Sequence, residues 1–266
     1  MTTTPSPATS AGVARTVAAG GGPRADEHAQ CPASPVRLAR MAGPLYLVVG
    51  VLGGFAHVVR LGVYEPGNAV ATYANIVANP TLLRASFVAD LVQAMVWLIL
   101  AGILHRLLAH AGRDIARAMV VFVAVSVAIG CINMVNQLGA VLVATTPSYS
   151  TALGVEGSHA VVLLLMDLQH YGYLIAQLTW LWLFALGVLG YRSGMFPRWL
   201  CFLLMAATVC YVSDATTQFL APSFAGTSAA VFVLPEIVCE VALLGYLLIR
   251  GVRTPVVSPA PSCAAG

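Results

Sequence analysis

The chain has 266 residues, 59% of them apolar and only 9% charged, with a mean hydropathy of +0.86. A soluble globular domain carries about 25% charged residues, so the composition excludes that class and points to an integral membrane protein. The net charge of +3 is too small to suggest a nucleic-acid partner, and most of the thirteen basic residues, all arginine, flank apolar segments as anchors.

Residues 1–36 consist largely of Thr, Ser, Pro, Ala and Gly. Such a segment buries too little apolar surface to offset its ordering entropy, so a disordered tail is expected. It lacks the apolar core of a signal peptide, and Cys31 has no hydrophobic run before it, so the tail is expected to persist. Six apolar spans follow, near 41–63, 86–109, 117–145, 160–191, 198–221 and 229–250. Each is close to the ~20 residues that a helix needs to cross the hydrocarbon core. The third and fourth are over-long. The fourth is expected to join an outer extension, Ser158 to Gln169, to a spanning part, His170 to Tyr191. Pro80, Pro147, Pro197 and Pro222 fall between spans as breakers, and Pro235 lies near the start of the sixth. In the first span, Gly50 and Gly54 form a small-xxx-small pair that permits close helix packing. Residues 254–266 read as a second disordered tail. The expected fold is all-α: one domain, 37–253, forming a bundle of six transmembrane helices.

The connections alternate in charge. Arg37 and Arg40, then Arg106, Arg113 and Arg117, then Arg192 and Arg198, then Arg250 and Arg253 mark one side. The third connection (TTPSYSTALGVEG) and the fifth (APSFAGTSA) contain no cation, and the first is weakly basic through Arg84. The positive-inside rule places both tails in the cytoplasm and the neutral loops outside.

Ionisable groups inside a span cost roughly 2.5–3.5 kcal/mol when central. Five carboxylates lie within these spans: Asp90, Asp167, Asp214, Glu236 and Glu240. At ~1.5 Å of rise per residue they fall in the outer half of the bundle, together with His57, Arg60, Asn133, Asn136 and His170. Neighbours three or four apart share a helix face. His57/Arg60, Asp90/Gln93, Asn133/Asn136/Gln137, Asp167/His170/Tyr171, Tyr211/Asp214/Gln218 and Glu236/Glu240 all satisfy that spacing. Each helix therefore has one polar stripe, and the stripes predict a carboxylate-rich chamber at one depth. Its acids outnumber its cations, which suits acid–base chemistry, proton coupling, or a bound cation, metal or amine.

Blander roles stand beside these. Gln93, Gln137, Gln177 and Gln218 suit interhelical glue. His57 and Arg60 suit snorkelling outward, and Asp90 suits pairing with Arg60 or Arg84. His170 to Tyr173 fit an interfacial aromatic belt equally well, with Asp167 solvated outside. Trp180 and Trp182 suit packing. No local spacing supports a metal site or a cofactor, and GxSxG, HExxH and Gly-rich phosphate loops are absent. The six cysteines show no CxxC spacing; Cys239, near Glu236, is expected to face the chamber and Cys201 not.

The segments ARMAGPLYLVVGVLGGFAHVVR, FVADLVQA, YGYLIAQLTWLWLFALGVLGYRSGMFPRWL and CYVSDATTQFLAP resemble the bacterial membrane family catalogued as domain of unknown function 4386. The likeness runs from about residue 38 to 253. Its most specific parts are Ala89-Asp90, Tyr171-Gly172-Tyr173, Gly190 to Arg198 and Tyr211 to Asp214. The chain departs from the family pattern at the aromatic Leu178 to Trp182 stretch and at Cys201, where Gly is usual. The resemblance implies a six-helix membrane protein and no particular activity.

The leading functional expectation is a bacterial inner-membrane protein that binds or transforms a small lipid-like or isoprenoid molecule. Asp90, Asp214 and Glu236 are the acid/base candidates. His57, Arg60, Asn133, Asn136, Asp167, His170, Tyr171, Tyr211 and Glu240 are the binding candidates. Its partners would be membrane lipid and a small hydrophobic or cationic ligand, with oligomeric state left open. A proton- or cation-coupled transporter and a non-catalytic sensor or assembly subunit are the alternatives.

Overall fold

The computed structural model describes residues 35–249. The two expected tails lie outside the described residues, save Pro35 and Val36, which open the first helix; Cys31, Arg250, Arg253 and Cys263 also lie outside them. The described residues form α-helices and no strand: α1 (Pro35–Val63), α2 (Ala69–Ala78), α3 (Pro80–Leu108), α4 (Arg113–Thr145), α5 (Pro147–Leu178), α6 (Trp182–Ser193), α7 (Arg198–Leu220) and α8 (Ala225–Ile249). Six segments among them are long and apolar enough to cross a membrane, with α5 and α6 making up the fourth. This is a multi-pass, all-α membrane protein.

The prolines mark helix starts as much as loops. Pro80 and Pro147 sit in the first turn of α3 and α5, where a missing backbone N–H forfeits no hydrogen bond. The second span therefore begins before residue 86. The supposed third loop is largely helical, interrupted at Gly154, whose φ of 70° favours glycine. Helix α2 was not expected. It starts where the Asn68 side chain accepts a hydrogen bond from the Ala71 amide at 3.1 Å, an ordinary N-cap.

The fourth span is broken rather than continuous. Residues 179–181 separate α5 from α6, within the aromatic stretch Leu178 to Trp182. The Thr179 hydroxyl donates to the Ala176 carbonyl at 2.7 Å and also pairs with the Ser126 hydroxyl of α4. Local hydroxyl bonds of this kind offer the backbone an alternative to the helical ladder.

The spans pack in sequence order as a closed ring. Helix α1 packs on α3, α3 on α4, α4 on α5 and α6, these on α7, α7 on α8, and α8 back on α1. Helix α2 lies against α1, α3, α4 and α5. Among the described residues, α1 and α5 face each other across the ring with no Cα–Cα approach within 8 Å. The end bearing Arg106, Arg113, Arg117, Arg192 and Arg198 is filled by an apolar core that includes Leu100, Leu104, Leu186, Leu189, Leu200 and Leu204. A smaller apolar cluster, with Val59, Ile76, Leu83, Ala140 and Met166, lies toward the α2 end. On α3 the polar stripe at Asp90 falls between these clusters, after Leu83 and before Ala94. Outward faces remain apolar and exposed, as at Val58, Ile132, Val209 and Val241.

Close packing uses glycines other than Gly50 and Gly54, whose added Cβ atoms would meet no neighbour within 4 Å. A Cβ at Gly43 would lie 2.9 Å from the Leu247 carbonyl oxygen, and one at Gly187 would lie 2.8 Å from that of Cys201. These contacts set the α1–α8 and α6–α7 spacings. Gly187→Ala is expected to lower stability by about 1–3 kcal/mol through overpacking, whereas Gly50→Ala should leave it unchanged or raise it. Thermal unfolding of the two variants in detergent compares them directly.

Candidate functional site

The polar layer begins with a charge pair. Arg60 on α1 bonds Asp90 on α3, and both side chains are nearly buried, at 11% and 8% exposure. Of the two partners suggested for Asp90, Arg60 is the one found; Arg84 is exposed and donates to Thr145 Oγ1 at 3.3 Å. Asp90 thus carries a counter-ion, which weakens it as a free acid/base group.

One turn beyond Arg60, Tyr64 donates its hydroxyl to Asp167 Oδ1 at 2.6 Å. Burial and that carboxylate push the Tyr64 phenol above its ordinary range, so it remains a donor. The Tyr64 ring also lies 5.9 Å from the His170 ring. His170 Nε2 donates to Gln218 Oε1 at 3.2 Å, and Gln218 Nε2 donates to Asp214 Oδ2 at 2.8 Å. Ser228 completes the Asp214 shell by donating to Oδ1 at 2.9 Å. A continuous polar path therefore runs from Asp167 at the α1–α5 face to Asp214 on α7. Asp167 and His170 are thus joined by hydrogen bonds to residues of the layer.

A second limb is aromatic. The His57 ring lies 6.1 Å from that of Tyr173, Tyr173 lies 6.3 Å from Trp180, and Trp180 meets Tyr211 edge-on at 4.6 Å. Tyr211 donates to Glu240 Oε1 at 2.8 Å. Glu236, on the same face of α8 as Glu240, is buried at 9% exposure and its Oε1 has no hydrogen-bond partner. Its electrostatic surroundings include Asp214 and Glu240, and those of Tyr173 include Glu240, Arg60, Glu236 and Asp90.

Three sequence candidates stand apart from this layer. Asn133 Nδ2 donates to the Gln169 carbonyl at 2.7 Å, and its Oδ1 accepts from Asn136 at 3.0 Å. A Cβ on Gly172 would collide with Asn133. Asn133 and Asn136 therefore join α4 to α5, and Gln137 likewise donates to the Leu83 carbonyl and Ser86 on α3. Tyr171 points outward at 43% exposure and meets Phe219. Cys239 and Cys201 are both fully buried, so the expected difference in their accessibility is not found; Cys239 packs into the apolar core. Among the described residues, no three His, Cys, Asp or Glu side chains converge as a metal ion requires.

Between α1 and α5 the layer contains a half-open cleft of about 50 Å³, lined by His57, Arg60, Leu61, Tyr64, Gln169, His170 and Tyr173. Leu61 is 66% exposed and supplies an apolar rim. Tyr64 and Tyr173 were absent from the sequence candidates, although Tyr64 follows Arg60 at i+4 and Tyr173 follows His170 at i+3.

A family model described as Domain of unknown function (DUF4386) matches residues 41–251. The chain belongs to that family. No curated protein and no solved structure matches it. In this DUF4386 protein, the motifs behind the likeness lie at the layer or at the arginine end. Ala89-Asp90 holds the ion pair, Tyr171-Gly172-Tyr173 meets Asn133 and the cleft, and Tyr211 to Asp214 supplies two members of the layer. At the turn, a Cβ on Gly190 would collide with Phe196. The family description assigns no activity, so function rests on the chemistry of the layer.

Arg60→Ala would leave Asp90 buried without its partner. It should destabilise the protein by about 3–5 kcal/mol, with much of that loss recovered in the Arg60→Ala/Asp90→Ala double variant. Chemical unfolding of the three variants in micelles gives the coupling.

Proposed function

We propose that the protein binds a small lipid-like or isoprenoid molecule inside the bacterial cytoplasmic membrane, with its polar head in the cleft. The observation that carries this reading is a polar-floored cleft with an exposed apolar rim, in a ring whose facing helices α1 and α5 have no Cα–Cα approach within 8 Å among the described residues. A head–tail junction needs both surfaces together. At about 50 Å³ the cleft has room for only a few water-sized groups, which favours a compact head over a bulky phosphodiester.

In a catalytic version, Asp214 and Glu236 are the acid/base candidates, and Asp90 is the counter-ion of Arg60. His57, Tyr64, His170 and Tyr173 would orient the head. Transport is less favoured, because the arginine end is closed by fully buried leucines and, among the described residues, offers no polar path. The arginine distribution supports cytoplasmic termini, with the α2 end facing outward.

Native mass spectrometry of protein released from its own membrane should detect a single-chain adduct that is lost in Leu61→Trp. Protein free of adduct that also fails to bind added isoprenoid alcohol would overturn the reading. For orientation, a membrane-impermeant maleimide should label Ser148→Cys on intact cells and label Arg113→Cys only after permeabilisation. The reverse pattern would invert the topology.

A further inference from the structure

Among the described residues, four of the five carboxylates in the layer have no Arg or Lys partner. Arg60 is committed to Asp90, and Arg84 lies exposed on Thr145. Asp167 and Asp214 are held by neutral donors from Tyr64, Gln218 and Ser228, and Glu240 by Tyr211. Glu236 is different: it is nine-tenths buried, and among the described residues Oε1 has no hydrogen-bond partner. An acceptor left bare inside a membrane protein is costly, so a missing donor is the natural complement.

The surroundings specify that donor. The acids do not converge in a metal-ligand set among the described residues. Instead, the junction of α5, α7 and α8 combines the Asp214, Glu236 and Glu240 carboxylates with the rings of Tyr173, Trp180 and Tyr211. Carboxylates supply charge and hydrogen-bond acceptors, and aromatic faces attract an organic cation through the ring quadrupole. Tyr173 lines the cleft and its ring lies 6.3 Å from that of Trp180, so one ring of the junction forms part of the cleft wall.

We propose that the head of the bound amphiphile is a protonated amine, which extends from the cleft past Tyr173 to the junction of Glu236, Asp214 and the Trp180 and Tyr211 rings. This rests on the reading of the cleft as an amphiphile site and names the ligand class for it. The acids attract the cation, and Glu236 Oε1 accepts one of its N–H groups. Arg60 bears the same sign as the ligand, and Asp90 offsets its repulsion.

The full-length protein in nanodiscs of neutral phosphatidylcholine provides the test. Dodecylamine, dodecanol and dodecanoate share one chain and differ only in the head. Binding is read at neutral pH from tryptophan fluorescence and from native mass spectrometry. The amine is expected to bind roughly tenfold or more tightly than the alcohol, with the carboxylate weakest. Glu236→Gln and Asp214→Asn should each remove the amine preference while preserving alcohol binding, and Glu156→Gln, at an exposed site, should change nothing. Gel filtration and circular dichroism establish which of the two layer variants is folded, and either one suffices. Alcohol binding as tight as amine binding in the wild-type protein, or a preference that survives in a folded variant, would overturn the amine assignment while leaving the amphiphile site intact. Failure of all three compounds would remove both.

Discussion

The buried pair between Arg60 and Asp90 sets the charge of everything around it. It ties α1 to α3 and uses the cation of the layer to balance one acid. Asp167, Asp214 and Glu240 are therefore left to neutral donors, Glu236 Oε1 has none among the described residues, and the layer keeps an excess of acceptors. That imbalance separates this interior from a merely satisfied polar core. Removing either member alone strands a charge in a medium that solvates it poorly, so the pair constrains the fold and the site together.

Hydropathy made the spans legible, and three- and four-residue spacing made the polar faces legible, because both follow from helix geometry and the low dielectric of the membrane. Asp90, Asp214, Glu236 and Glu240 were visible for that reason. The roles of Asn133 and Asn136 were not, since an amide in a span has the same sequence signature whether it meets a ligand or the carbonyl of a neighbouring helix. Tyr64 was hidden by its place just beyond an apolar run, and Tyr173 by an aromatic stretch that equally suits an interfacial belt. The break at residues 179–181 was hidden too, because a Trp- and Leu-rich run scores as continuous while Thr179 turns its hydroxyl onto the backbone.

The break has a structural use. It lets α5 carry the cleft residues and α6 pack into the arginine end as separate pieces. Ser126 on α4 pins the point of change by pairing with Thr179. Trp180, within the break, is free of helical register and reaches toward Tyr211, carrying the aromatic limb across to α7. One irregular turn thus connects the two halves of the layer.

The seam between α1 and α8, held at Gly43 and Leu247, bears on how the protein is made. Neighbours in the ring follow chain order everywhere else, so each span meets its partner as soon as that partner emerges. Helix α1 alone waits for α8, the last span to be synthesised. Until then the ring is a five-walled trough, its ion pair and Asp214 facing an open side. Glu236 and Glu240 arrive with the element that shuts it. Ring closure and completion of the acidic junction are therefore one event in the protein's biogenesis.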